Sequence, residues 1–224
     1  MLDIPRYAPL AHGDLCERRV PRAPRYVREP AGRPAARNSE SSARDDGGID
    51  SLLQFSSTGR NDALVRERVS FVVEKAVAAV KHHPDGRNVS ITVSNFPPAE
   101  AEIDAKNLES AIYNLLLNAC QAATGSTHLP EVSVLLTEVD ERIYLTISDN
   151  GPGIPDSVRR TLFDPFVTAG KPNGIGLGLT LARRIAEEHG GTVWLEESNR
   201  EGTEFTLSLT KNRSLLEELI SGRE

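Results

Sequence analysis

The sequence predicts an α/β domain, a two-layer sandwich of a mixed sheet and about three helices, behind a disordered N-terminal tail. Three observations carry that expectation. From residue 62 onward, apolar residues recur by turns at helical spacing and at strand-like alternation. Composition changes abruptly near residue 48. Finally, a run of alternate glycines at 174–178 opens directly into a helical stretch that ends at Gly190-Gly191. Alternating element types imply a helix-covered sheet, because each element must bury one apolar face against another layer.

The bulk numbers bound the possibilities. With 224 residues, 38% hydrophobic and 26% charged, the chain can bury one ordinary core and carry an appendage. A net charge of −6, from 26 Lys+Arg against 32 Asp+Glu, argues against a general nucleic-acid binder, whose basic surface would have to displace counterions. Cys16 and Cys120 lie far apart, and Cys120 falls inside an apolar helical pattern, so neither a disulfide framework nor metal-ligand spacing is indicated. No apolar run approaches the roughly 18 residues that cross a bilayer, and no apolar signal core opens the chain. The expectation is a soluble, cytoplasmic chain with no membrane segment.

Residues 1–48 hold six of the 14 prolines, nine arginines and no lysine, with little apolar periodicity. Such a segment buries too little surface to offset its ordering entropy, so it reads as a disordered Pro/Arg-rich tail. An arginine-rich arm at Arg18–Arg37 that meets an acidic partner is the alternative. Ile49, Leu52, Leu53 and Phe55 look like the end of an apolar helix. Asp62 then caps a longer helix through about Lys81, with Val65, Val69, Val72, Val73, Ala76, Val77 and Val80 on one side. Pro84 and Gly86 stop it.

A strand is expected at Val89–Val93 and a short one at Ala101–Ile103. Asp104 caps the next helix, which runs to about Ala123 with Leu108, Ala111, Ile112, Leu115, Leu116 and Ala119 at three- and four-residue spacing. Strands Glu131–Glu138 and Arg142–Ser148 follow, joined near Val139–Glu141. The Gly/Pro-rich stretch from Asn150 to Asn173, with one helical turn around Asp156–Leu162, is long enough to be a lid or binding loop. A helix from Gly176 or Leu177 to His189, and strands Thr192–Glu196 and Thr203–Leu209, complete the mixed sheet. Ser214-Leu-Leu-Glu217 has the form of a capping box for a last short helix over 212–224.

Three groups of residues carry chemistry. Asn114 and Asn118 are four apart and Gln121 three further on, so their amides share one face of the helix while the leucines take the other. An Asn carbonyl is a hard oxygen ligand of the kind Mg²⁺ accepts beside water and phosphate oxygens, although the same stripe could simply face solvent. In Asp149-Asn-Gly151-Pro-Gly153-Ile154 a carboxylate at a strand end is followed by glycines that clear space above it. An ionised Asp only accepts, which suits a donor such as an exocyclic amine, but an ordinary Asp-Asn-Gly turn has the same residues. The glycines of Gly174-Ile-Gly176-Leu-Gly178-Leu179 let backbone approach a ligand and aim N–H groups at it beside a helix start, which is a place for phosphate. They fit neither a dinucleotide fingerprint, since Leu181 stands where its last glycine belongs, nor a P-loop, since Pro172 follows Lys171.

Taken in order, these groups resemble the ATP-binding catalytic domain of sensor histidine kinases, in the GHKL (Bergerat-fold) ATPase superfamily, over roughly residues 49–210. Asn114-Leu-Leu-Leu-Asn118-Ala-Cys-Gln-Ala resembles the N box, Asp149-Asn-Gly-Pro-Gly153 the G1 box, Leu162-Phe-Asp-Pro-Phe166 the F box and Gly174-Ile-Gly-Leu-Gly178-Leu the G2 box. The resemblance implies Mg²⁺ and ATP as cofactors. It implies that Asn118 helps hold Mg²⁺, that Asp149 takes the adenine amine and that Gly151 and Gly153 admit the base. Gly174, Gly176 and Gly178 would line the triphosphate. Gln121, Ile154, Leu177 and Leu179 would line the same site, Phe163 and Phe166 would pack the lid, and Lys171 would reach a phosphate. Asn114 and Asn118 are the implied catalytic pair. Hydrolytic members of the superfamily have a glutamate base at the Asn114 position; an amide cannot take that proton, so phosphoryl transfer to a positioned acceptor is the better reading than fast hydrolysis. Gln121 and Ala122 place the chain beside the nitrogen-sensor-like kinases, which often lack the basic and aromatic residues seen here elsewhere in the family.

The resemblance has a gap. A complete kinase carries a helical hairpin whose phosphorylated histidine is usually followed by Glu or Asp, and none of His12, His82, His83, His128 and His189 has such a neighbour. Residues 49–84 then read as a remnant of the hairpin and a connecting helix, and 85–211 as the ATP-binding domain. Two expectations stay open: a truncated or mis-started kinase, or a stand-alone subunit acting in trans on a histidine in another protein. The implied partners are ATP, a histidine-bearing phosphoacceptor domain and a response regulator, with a homodimer in a full-length context. A non-catalytic ATP-binding regulatory module is the competing function, and a serine kinase of the anti-sigma type a weaker third.

Overall fold

The computed structural model describes residues 64–94, 97–168 and 175–212. The expected tail, Asp62, the final helix after Ser214, and Lys171 and Gly174 lie outside these residues. In chain order the elements are β1 (Val65–Arg68), α1 (Val69–His82), β2 (Ser90–Ser94), β3 (Glu100–Ile103), α2 (Ala105–Ala123), β4 (Glu131–Val139), β5 (Arg142–Asp149), the single turn α3 (Asp156–Arg159), α4 (Gly178–Glu188), β6 (Thr192–Asn199) and β7 (Gly202–Thr210). None of the described helices is long and apolar enough to cross a membrane.

Five strands form the main sheet in the order β2-β4-β5-β7-β6, mixed because β2 runs parallel to β4 while the other neighbours are antiparallel. Alternation sends one set of side chains toward the helices. On that face Val93, Val134, Ile147, Phe205 and Leu195 form one row and Leu136, Leu145, Leu207 and Val193 the next. The helices answer with Val69, Val72, Val73, Ala76 and Val80 from α1, Leu108, Ile112, Leu115 and Leu116 from α2, and Leu181 and Ile185 from α4. Together these make one apolar core. The opposite face carries Tyr144 and Trp194, whose rings meet edge to face at 6.4 Å. The expected two-layer sandwich is therefore the observed fold.

The helix expected from Asp62 is shorter than the pattern implied. It begins at Val69, and Val65–Arg68 is a strand that pairs antiparallel with β3. Val65, placed on the apolar stripe by its spacing, is 61% exposed. The reason is tertiary: Glu100 of β3 sits opposite Arg68 and pairs with Arg66 at 3.3 Å and with Arg68 at 3.9 Å, so a ribbon replaces the helix's first turns. The same pairing takes Ala101–Ile103 out of the main sheet.

Asp104 does cap α2: its carboxylate accepts the Asn107 N–H at 3.0 Å. His189, expected at a helix end, is a buried clamp. Its Nδ1 donates to the Ile185 carbonyl at 2.7 Å, which leaves Nε2 to accept the Asp104 N–H at 3.0 Å, tying the end of α4 to the start of α2. Replacing it leaves the part-buried Asp104 N–H without its acceptor, and a void where the buried ring stood. His189→Ala is expected to lower the unfolding free energy by about 3 kcal/mol, measured by urea unfolding followed through the single tryptophan, Trp194.

Candidate functional site

Along α2 the amides of Asn114, Asn118 and Gln121 form one half-buried stripe beside the leucine face. At about 1.5 Å of rise per residue, the stretch from Asn114 to Ala122 spans about 12 Å. Other parts of the chain meet it at its two ends. At the first turn, Asn114 donates from Nδ2 to the Ser110 carbonyl at 2.9 Å, which fixes its amide orientation. Its oxygen then lies only 3.1 Å from where a Cβ on Gly178 would stand, so the glycine lets the start of α4 close onto the asparagine. α4 has no side-chain cap at this end.

At the far end of the stripe stands Asp149, the last residue of β5, which is 8% exposed and occupies the helix-facing side of a strand otherwise lined by Ile143, Leu145 and Ile147. Its Oδ1 accepts the Gly151 N–H at 2.9 Å. Gly151 in turn fills the gap to α2: a Cβ there would lie 2.6 Å from the Ala122 carbonyl and 2.8 Å from the Asp149 Oδ1. Cys120, fully buried on the same turn, has its thiol pushed up to about 11, first by burial and then by the negative charges of Asp149 and Asp85. Both carboxylates thus face one end of α2.

The turn after Asp149 is held from below. Gly153 has φ of 80°, and the next N–H, of Ile154, donates to the Ser198 Oγ at 2.8 Å. Ser198 Oγ also lies 3.2 Å from the Thr203 hydroxyl, and Arg159 donates to the Ser198 carbonyl at 2.7 Å. The Ile154 side chain packs against the core.

On the lid side Phe163 is anchored. It meets Phe205 edge to face at 6.3 Å, lies under the Arg183 guanidinium at 5.3 Å, and its carbonyl accepts from Thr180 Oγ1 at 3.0 Å. Phe166 does not pack as expected: it takes a left-handed φ of 66° and is 66% exposed. Its N–H donates to the Gly176 carbonyl at 2.9 Å, a bond that seats Gly176, itself at φ 74°, against the Phe166-Val167 backbone. Leu177 is 2% exposed, so at that position only the backbone can face a ligand, while Leu179 is partly buried against the core.

The structure therefore brings Asn114, Gly178, Asp149 and Gly151 onto one side of α2, with Asn118 between the two ends. Gln121, at the far end of the stripe, donates from Nε2 to Asp85 Oδ2 at 2.8 Å, a partner the sequence did not indicate. Asp85, Ser198 and Thr203 were missed. Asp85 belongs to a Pro-Asp-Gly turn, whose residues signal a helix stop and nothing more. The other two are ordinary strand residues whose importance arises only from where β6 and β7 lie.

Residues 103–213 match the model of the histidine kinase-, DNA gyrase B-, and HSP90-like ATPase family. This stretch is a domain of that family. The C4-dicarboxylate transport sensor protein DctB of Rhizobium meliloti (strain 1021) is 38% identical over 142 residues, which are 62% of this chain and 22% of that protein. The sensor protein FixL of Bradyrhizobium diazoefficiens is 31% identical over 159 residues, 70% of this chain and 31% of that protein. The chain thus spans less than a third of the length of either curated relative. Among solved structures, the nucleotide-free catalytic domain of histidine kinase ThkA superposes with a TM-score of 0.58 at 22% identity, covering 68% of this chain and 99% of that one. Full-length ShkA in complex with AMPPNP gives a TM-score of 0.58 at 20% identity, over 72% of this chain and 34% of that one. The homologues are sensor histidine kinases, and the shared fold is that of their ATPase domain.

Proposed function

We propose that residues 85–211 bind Mg-ATP along the amide stripe of α2 and form the catalytic domain of a two-component sensor histidine kinase, which passes the γ-phosphoryl of ATP to a histidine in trans. The observation that carries this reading is convergence: Gly178 closes on Asn114 at one end of the stripe and Asp149 with Gly151 closes on Ala122 at the other. Between these ends one extended nucleotide can lie with its base at Asp149 and its phosphates at the start of α4. Asp149 would accept from the adenine amine, and Gly151 and Gly153 would leave room for the ring. Gly174, Gly176 and Gly178, with the backbone of Leu177 and Leu179, would turn N–H groups and the positive end of α4 toward the triphosphate. Lys171 would add a cation.

Mg²⁺ fits this set through the hard amide oxygen of Asn118. The ion would supply charge neutralisation for the transferring phosphoryl. In the transfer an N–P bond forms at the acceptor imidazole as the bond between the γ phosphorus and the β–γ bridging oxygen breaks, ADP departs and the imidazole proton is lost. Asn114 holds its amide against Ser110 and α4 and offers no base toward water, which favours transfer over hydrolysis. A histidine-bearing hairpin and a response regulator are the proposed partners, with dimerisation through the hairpin. Residues 1–48 are proposed as a tail and 49–84 as the connection to the hairpin.

The test is to mix the protein with γ-labelled ATP, Mg²⁺ and a separate hairpin domain bearing a phosphorylatable histidine. Acid-labile, alkali-stable label on the hairpin is the expected result. Binding of ATP with no label on any such hairpin would favour a non-catalytic nucleotide-binding module instead.

A further inference from the structure

We propose that the C-terminal segment, residues 213–224, docks as a short amphipathic helix on the outer face of the sheet, over Tyr144 and Trp194. This face lies across the sheet from α2, so the docking is independent of the nucleotide reading. A sheet face turned away from the core is ordinarily left in water. Here it divides in two. Ser90 and Thr92 of β2, Ser133 of β4 and Glu196 of β6 are exposed, whereas Tyr144 is 8%, Thr206 0% and Trp194 6% exposed. Both rings are buried, yet they stand outside the apolar core. Trp194 lies on β6, the last strand of the sheet, so neighbouring strands shield it from one side alone. The longer helices α1, α2 and α4 pack on the opposite face.

The chemistry of the buried patch suits an apolar occupant. The hydroxyls of Thr146 and Thr206 bond to each other at 3.2 Å, Ser208 Oγ accepts the Thr192 N–H at 3.2 Å, and Thr210 Oγ1 donates to the Gly190 carbonyl at 3.0 Å. The Trp194 indole N–H donates to Glu196. These polar atoms are therefore paired within the face itself. What remains to point outward is ring and methyl surface, which gains from being taken out of water.

The patch adjoins the point where the chain leaves the sheet. Thr206 sits beside Trp194 and Ser208 beside Tyr144, and β7 ends at Thr210, itself 5% exposed. The exit is fixed: the Lys211 carbonyl accepts the Glu102 N–H at 2.9 Å, and Asn212 donates from Nδ2 to Glu141 at 2.8 Å. From Asn212 the Tyr144–Ser208 row lies four residues back along β7, roughly 13 Å. Two connecting residues and two helical turns, at about 1.5 Å per residue, cover that distance. The sequence supplies the matching side chains. Ser214 and Glu217 form the capping box, Leu215, Leu216, Leu219 and Ile220 share one side at helical spacing, and Glu217, Glu218 and Ser221 take the other. Residues 1–48, rich in proline and arginine and without apolar periodicity, match such a patch poorly.

Trp194 is the single tryptophan, so its emission reports the cover directly. A chain ending at Asn212 is expected to keep the far-ultraviolet dichroism of the folded domain while its tryptophan emission shifts to the red and acrylamide quenches it severalfold more. Leu219→Glu in the full chain should shift the emission the same way, whereas Ser221→Glu, the same charge on the opposite side of the helix, should leave it in place. Emission unchanged in the shortened chain, equal responses to Leu219→Glu and Ser221→Glu, or shielding of the full chain that is lost on dilution would overturn the proposal. The cover would then come from residues before 64 or from a second copy of the chain. Should the shortened chain lose its folded dichroism, the contrast between Leu219→Glu and Ser221→Glu decides by itself.

Discussion

Asp149→Asn is expected to weaken ATP binding about 100-fold, equivalent to roughly 2.7 kcal/mol, with the fold retained. The substitution is nearly isosteric, and the native geometry dictates how the new amide must sit. Oδ1 of Asp149 accepts the Gly151 N–H at 2.9 Å, so an asparagine here keeps its oxygen toward Gly151 and turns its NH₂ toward the proposed base. Donor then faces donor where the adenine amine should be received. The loss is that of a charged hydrogen bond, about 1.5–3 kcal/mol, plus a polar group left without a partner. A second readout checks the neighbourhood independently of ATP. Asp149 is the larger of the two charges that raise the Cys120 thiol, so in the variant that thiol should titrate below about 11, with burial still holding it above its usual range. Equal ATP affinity for variant and parent, measured by calorimetry, would remove Asp149 from the site.

Asn118→Ala should abolish the gain in ATP affinity brought by Mg²⁺ and reduce phosphoryl transfer by about two orders of magnitude or more, with metal-free binding close to that of the parent. The physical basis is that Asn118 is the proposed protein oxygen on the ion, and the transition state depends on charge neutralisation more than the ground state does. Asn118→Asp makes the contrast: a carboxylate still ligates Mg²⁺ and should keep the metal dependence that alanine loses. The comparison is made by titrating Mg²⁺ against ATP affinity and initial transfer rate. If alanine and parent respond identically to the metal, the ion is held elsewhere.

Much of this was legible before any coordinates. The α2 boundaries follow from the Asp104 cap and the leucine spacing, because a short polar side chain at a helix start and a 3.6-residue period are local properties. The three-amide stripe, the glycines and Asp149 were found the same way. Other residues were opaque for the opposite reason. Val65–Arg68 is helical by spacing and a strand in fact, because Glu100, more than thirty residues away, offers paired backbone and opposite charge. Phe166 reads as a packing residue, yet the Gly176 carbonyl holds its backbone in a conformation that sends the ring outward. The partner of the Gln121 amide nitrogen was opaque too, since Asp85 lies 36 residues earlier in a turn whose letters carry no such message.

The sequence by itself determined which residues could be chemical: an accepting carboxylate at a strand end, amides three and four apart on a helix, glycines where backbone must come close. These are matters of side-chain type and helical period, written within a few neighbouring positions. Only the tertiary structure decided how they share space, through Gly178 against Asn114, Gly151 against Ala122, His189 bridging α4 to Asp104, and Asp85 turning Gln121. Those contacts join residues tens of positions apart, and no local pattern encodes them, since they exist only once the core has packed the helices onto the sheet.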